Sequence, residues 1–113
     1  PSNFEDGFRM LQILSGRVHY VYTGFCLIEV ATNKKIIDYE VTKVEFNKIS
    51  DDIINEYLKT NEYVDKAGAY GIQGFGELLV KKIDGCYNNV KGLPINKLNK
   101  LLIKNFNFSL LRF

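Results

Sequence analysis

The sequence predicts a mixed α/β fold, with helices and antiparallel strands in one α+β unit, and three observations predict it. Two long stretches, about 17–31 and 36–47, are rich in Val, Ile, Tyr, Phe and Thr, side chains that suit a pleated surface. Phe4, Phe8, Leu11 and Leu14, and later Ile95, Leu98, Leu101 and Leu102, recur at helical spacing. Residues 61–76, rich in Gly and Ala, follow neither period.

The first helix is expected over 2–14, capped by Ser2 or Asn3, with Glu5 and Asp6 at its positive end and Gly16 past its C-terminus. Gly7 inside it costs about 1 kcal/mol relative to Ala, so this helix relies on packing. The polar run Thr32-Asn33-Lys34-Lys35 joins the two extended stretches at hairpin length. In the second stretch Thr42, Val44 and Phe46 share one face, Lys43 and Glu45 the other, so one face is expected to be buried. Ser50 caps a short helix with Asp51 and Asp52 in its first turn and Ile53, Ile54, Tyr57 and Leu58 behind them. Leu78 to Ile83 reads as a strand that stops at the turn dipeptide Asp84-Gly85. Gly92-Leu93-Pro94 leads a last helix with Pro94 in its first turn. There Ile95, Leu98, Leu101 and Leu102 should face inward, and Lys97, Lys100 and Lys104 outward. Residues 106–113 are apolar and match no element. With no repeat or linker, residues 1–113 are expected to form a single domain.

Composition narrows the functions. The chain has 113 residues, 46% hydrophobic and 25% charged, which excludes a disordered tail, a collagen-like fibre and a disulfide-dense mini-protein. No run reaches the roughly 18 apolar residues of a membrane span, so no membrane is expected as a partner. Cys26, Cys86 and His19 cannot complete a four-ligand zinc site of those residue types. Any Ser–His or Cys–His pair would have to use His19, and no G-x-S-x-G elbow is present. Two thiols and no leader-like segment before the fold point to a reducing, cytoplasmic compartment. The chain opens at Pro1 and its one Met is Met10, so a processed or incomplete chain is expected. Residues 1–80 hold 8 Lys/Arg against 12 Asp/Glu, and residues 81–113 hold 7 against 1. Those later lysines are spaced rather than clustered, which favours a solvated helix face over a nucleic acid polymer as partner.

The most unusual stretch runs from Asp65 to Gly74. Gly68, Gly71, Gly74 and Gly76 permit positive φ and close backbone approach, as an anion-cradling loop needs. Lys66 offers a mobile cation for phosphate, and Gln73 an amide able to pair with a base edge. The run matches neither the P-loop nor the dinucleotide-binding pattern. On the residues alone, an anion cradle and a glycine-rich connection in a packed corner stand side by side. Other candidates read as structural. His19 is a packed or surface imidazole on a strand, and Asp51 and Asp52 are first-turn acids rather than a metal pair. Asp65 fixes the loop or orients Lys66; Tyr20, Tyr22 and Phe25 are core or interface aromatics rather than a base stack; Cys26 and Cys86 are inert.

Four ordered motifs then carry a family resemblance across about residues 1–102. Ser15-Gly16-Arg17 with His19, Val21, Thr23 and Gly24 is similar to S-G-R-x-H-x-V-x-T-G, and Thr42, Val44, Phe46 and Ser50 to T-x-V-x-F...S. Lys66-Ala67-Gly68 through Tyr70, Ile72, Gln73 and Gly74 resembles K-A-G-x-Y-x-I-Q-G, and Asn89-Val90 with Gly92-Leu93-Pro94 resembles N-V-x-G-L-P. These are motifs of the Maf family of nucleoside triphosphate pyrophosphatases.

The resemblance implies the C-terminal half of the Maf/ITPase-like fold. It implies water attack on the α-phosphate of a nucleoside triphosphate, releasing pyrophosphate and the monophosphate with the help of a divalent cation, Mg or Mn. The Gln-containing motif resembles the dTTP- and UTP-specific branch, so Lys66 and Gln73 are the implied substrate-binding residues and Gln73 sets base choice. The family's Ser-x-Arg-Arg phosphate loop, acidic metal ligand and G-A-D-T general base have no counterpart among residues 1–113, so no catalytic or metal-binding residue is assigned here. Asn47 departs from a position where many members carry a basic residue. A homodimer is implied for the complete enzyme. The alternative expectation is a catalytically inactive nucleotide-binding or dimerising remnant.

Overall fold

The computed structural model describes residues 3–64, 66 and 68–112. Helices α1 (Phe4–Leu14), α2 (Asp51–Leu58), α3 (Tyr87–Lys91) and α4 (Ile95–Phe106) accompany strands β1 (Val18–Glu29), β2 (Lys34–Phe46) and β3 (Val80–Asp84). The strands form one sheet in the order β1-β2-β3, and β3 runs antiparallel to β2 with Val44 opposite Ile83. This is a mixed α/β architecture. Its contacts divide into two compact units: Pro1–Tyr20 with Lys43–Asp84, and Val21–Thr42 with Gly85–Phe113.

The first unit holds the apolar core. Asn3 caps α1 by accepting the Asp6 N–H, and Ser50 caps α2 by accepting the Ile53 N–H. Leu11 of α1, Ile54 and Leu58 of α2, and Val44 and Phe46 of β2 are all essentially buried. Burying one such side chain contributes about 1.5–3 kcal/mol. Gly7 shows why its cost is tolerated: a Cβ there would lie 3.0 Å from Leu58 Cδ2 and 3.3 Å from the Tyr63 ring. The helix gives up propensity for close packing. Ser15 ties the end of α1 to the chain before α2, accepting from Ile49 N–H at 2.8 Å and donating to its carbonyl at 3.2 Å.

The second unit turns on two buried polar residues. The Thr42 hydroxyl accepts the Cys86 N–H at 3.1 Å and donates to the Cys86 carbonyl at 3.2 Å. Asn89 Nδ2 donates to the same hydroxyl at 2.9 Å and to the Val21 carbonyl at 3.0 Å. Gly85, at φ +132°, passes so close that a Cβ would sit 3.1 Å from the Thr42 side chain.

Several expectations need correction. Residues 30–33 make the hairpin turn, which Asn33 closes at φ +59°, while Lys34 and Lys35 already belong to β2. Leu78 is not in a strand: Gly74–Leu79 winds as a 3-10 helix, and β3 starts at Val80, opposite Phe46 after a bulge. Pro94 is the N-cap of α4 and stands outside its first turn. Ile95 is exposed, no residue of α4 is fully buried, and Lys97 is half-buried rather than solvated, donating to the Tyr39 carbonyl and pairing with Asp38 at 3.5 Å. Its ammonium sits over the Tyr39 ring, 5.6 Å from the centroid, and this cation–π contact with the two polar partners accounts for its place. Helix α3 went unread because five residues are too short to display a period. The apolar tail contributes a 3-10 turn at Leu110–Arg112. No helix among the described residues is long and apolar enough to cross a membrane.

Candidate functional site

Residues 68–76 fold back against α2 of the first unit. Tyr57, in the last turn of α2, is 5% exposed, and its hydroxyl accepts the Gly71 N–H at 3.0 Å. The same hydroxyl donates to Glu62 Oε1 at 3.3 Å. Glu62 in turn accepts the Phe75 N–H on Oε2 at 3.0 Å and the Gly76 N–H on Oε1 at 3.2 Å. One phenol and one carboxylate therefore bind the backbone on both sides of Gln73. Burial, with Glu62 beside it, pushes the Tyr57 phenol up to about 12.

The glycines divide the work unequally. Gly74 alone of the four takes positive φ, +68°, with Glu62 Oε2 only 2.7 Å from where its Cβ would be. At Gly76 a Cβ would stand 1.6 Å from the Gly71 carbonyl oxygen, so the chain crosses itself there. Gly68 and Gly71 do not adopt positive φ; Ala69 does, at +67°, although it is fully buried. A non-glycine residue held in the left-handed region means the surroundings over-determine the loop.

Within this loop Tyr70 is buried, and its hydroxyl lies 2.7 Å from His19 Nε2 of β1. His19 meets Phe46 and Tyr70 edge to face, at ring separations of 5.1 and 5.6 Å. Burial lowers the His19 pKa and raises that of Tyr70 to about 12. His19 is thus a packed imidazole.

Lys66 and Gln73 are both exposed, and the fold brings them to one turn. The Lys66 Cε lies 3.2 Å from where a Cβ on Gly71 would be, two residues ahead of Gln73. Gln73 has extended backbone and opens the 3-10 helix without capping it. Neither side chain has a hydrogen-bond or ion-pair partner among the described residues. A recess of about 190 Å³ against α2 is lined by Ile53, Tyr57, Phe75 and Leu78 among others, and by neither Lys66 nor Gln73.

The remaining candidates separate. Asp51 accepts from Gln12 Nε2 at 3.3 Å and sits with Asp52 in the first turn of α2. Tyr20 and Tyr22 share an exposed face of β1 while Phe25 lies on the other. Both cysteines are free. Asp65 lies outside the described residues. Among the described residues no three His, Cys, Asp or Glu side chains converge on one point. Glu62 was missed because nothing in its local sequence marks a carboxylate that bonds backbone 13 and 14 residues away. Tyr57 carried one signal: a buried phenol needs a partner.

The sequence profile described as "Maf-like protein" matches residues 1–105. The chain belongs to the Maf-like protein family. It is 51% identical over 111 residues to a dTTP/UTP pyrophosphatase of Alkaliphilus oremlandii, covering 98% of this chain and 58% of that relative. It is 51% identical over 102 residues to the dTTP/UTP pyrophosphatase of Clostridium tetani, covering 90% and 53%. Identity to the enzyme of that description in Clostridioides difficile is 54% over 101 residues, covering 89% and 52%. The chain spans about half the length of the curated relatives it matches. Within this Maf-like chain, the Tyr57–Glu62 clamp holds the backbone on both sides of the exposed Gln73.

Proposed function

We propose that this chain is the nucleotide-recognising, C-terminal portion of a nucleoside triphosphate pyrophosphatase that hydrolyses dTTP and UTP to the monophosphate and pyrophosphate. One observation carries the reading: Gln73 is exposed, both ends of its amide are free among the described residues, and the backbone on either side is bonded down. A pyrimidine edge offers adjoining donor and acceptor positions, which one amide satisfies together. Lys66, across the same turn, supplies positive charge for phosphate oxygens. Relatives named dTTP/UTP pyrophosphatase, about half identical, support the substrate class. In this reading the general base and the donors for a divalent cation, Mg or Mn, come from a segment outside residues 1–113. The complete enzyme is a cytoplasmic homodimer.

A second reading, an inactive nucleotide-binding or dimerising remnant, is favoured by the hairpin face of the second unit, where Tyr22, Ile37 and Tyr39 are all more than half exposed. Calorimetric titration of the 113-residue chain with dTTP, UTP and GTP, beside a pyrophosphate-release assay with Mg, tests the proposal. The expected result is selective binding of dTTP and UTP with no turnover. Absence of binding to all three overturns it.

A further inference from the structure

We propose that Glu62 is the positioning residue for base choice: it never meets the nucleotide, but fixes the turn that presents Gln73. This rests on the reading of Gln73 given above. A side chain that discriminates bases by hydrogen bonds needs a fixed backbone, because freedom at the Cα is lost selectivity. Gln73 gets little rigidity from its neighbours, since Gly71, Gly74 and Gly76 are the most permissive residues a chain can carry.

The rigidity comes from Glu62. Its two oxygens accept the N–H groups two and three residues after Gln73, at 3.0 and 3.2 Å, and Oε1 also accepts the Tyr57 hydroxyl at 3.3 Å. Tyr57 holds the N–H two residues before Gln73 at 3.0 Å. The two anchors are thus joined, with Gln73 at the midpoint of the clamped segment. Three donors on one group require an acceptor-only side chain, and bonds to an ionised acceptor are roughly twice as strong as neutral ones. Gly74 leaves the carboxylate its place, because any Cβ there would come within 2.7 Å of Oε2. Glutamine at position 62 would aim an NH2 group at one of the donors.

Two measurements on Glu62→Gln decide the proposal. Amide hydrogen exchange by NMR should show protection at Phe75 and Gly76 falling at least tenfold, with Leu11 and Val44 unchanged. Calorimetric titration should show the dTTP-over-GTP affinity ratio falling about tenfold, with affinity for inorganic tripolyphosphate unchanged. Should Glu62→Gln unfold, seen as lost protection at Leu11, then Glu62→Asp, which keeps the charge and shortens the reach, carries the same comparison. Unchanged exchange at Phe75 and Gly76 overturns the proposal whatever the nucleotides do. Loosened exchange with an intact affinity ratio also overturns it, because Glu62 would then hold the loop without affecting base choice. A wild-type chain that does not distinguish dTTP from GTP refutes the reading of Gln73 itself, and base positioning by Glu62 with it. That outcome is read on the wild type alone, so the two failures are separable.

Discussion

His19 Nε2 and the Tyr70 hydroxyl lie 2.7 Å apart, and this contact joins the start of β1 to the segment that follows Ala69. The other ring nitrogen, Nδ1, is buried with no partner among the described residues. Protonation puts an N–H on both nitrogens, so the folded state resists it, and burial lowers the His19 pKa below the ordinary 6.5. Since the unfolded chain then binds the proton first, this contribution to stability is present above pH 6.5. It is lost as pH falls from there through the lower folded value. Urea melts between pH 8 and about 5 should show this decline, and His19→Gln should flatten it. An unchanged slope in the variant would assign the pH dependence to carboxylates.

The two buried phenols behave oppositely. Tyr57 and Tyr70 are both raised to about 12 from the ordinary 10.0. A raised folded pKa means the unfolded chain ionises first, so the stability these groups give is intact below about pH 10 and lost as pH climbs towards 12. Phenolate absorbance should show two of the seven tyrosines titrating late, together with alkaline unfolding. Tyr57→Phe should remove one late titration and leave one.

Gly76 tolerates no side chain, with the Gly71 carbonyl oxygen 1.6 Å from the Cβ position, whereas Gly24 has nothing within 4 Å. Gly76→Ala must push the crossing backbone segments apart and should cost about 3 kcal/mol in urea unfolding. Gly24→Ala should stay within about 1 kcal/mol of the wild type. Equal effects would mean the crossing at Gly71 is not present in solution.

Thr42 serves three bonds with one hydroxyl. Thr42→Val keeps the shape but strands the Cys86 N–H and one Asn89 donor, at a cost of roughly 1–3 kcal/mol. Thr42→Ser loses only a methyl and should cost about 0.8 kcal/mol. If Ser proves the more damaging of the two, the methyl rather than the hydroxyl matters here.

The proposed base reader gives a selectivity test. Gln73→Glu replaces a donor with a second acceptor, so it should weaken dTTP and UTP about tenfold to a hundredfold relative to GTP. Lys66→Ala should weaken all three alike, since phosphate is common to them. A uniform loss in Gln73→Glu would make Gln73 a phosphate or scaffold residue.

What the sequence by itself determined is local. Asn3 and Ser50 cap the helices they were expected to cap, Thr42, Val44 and Phe46 bury one face of β2, and Gly85 makes its turn. Caps, alternation and turn dipeptides act over a few residues, so their physics is written in neighbouring letters. Ordered motifs likewise placed the chain in its family, although a motif letter does not state its work: Asn89 proved to be a buried hydrogen-bond hub of the second unit. The tertiary structure alone decided which glycine bends, which one is crossed, that Lys97 bonds the Tyr39 carbonyl and that Glu62 and Tyr57 hold the turn around Gln73. A carboxylate finds the Phe75 and Gly76 amides only after the intervening loop has closed. Closure is settled by the packing of α2 and the space glycine leaves, and no spacing rule along the chain encodes either.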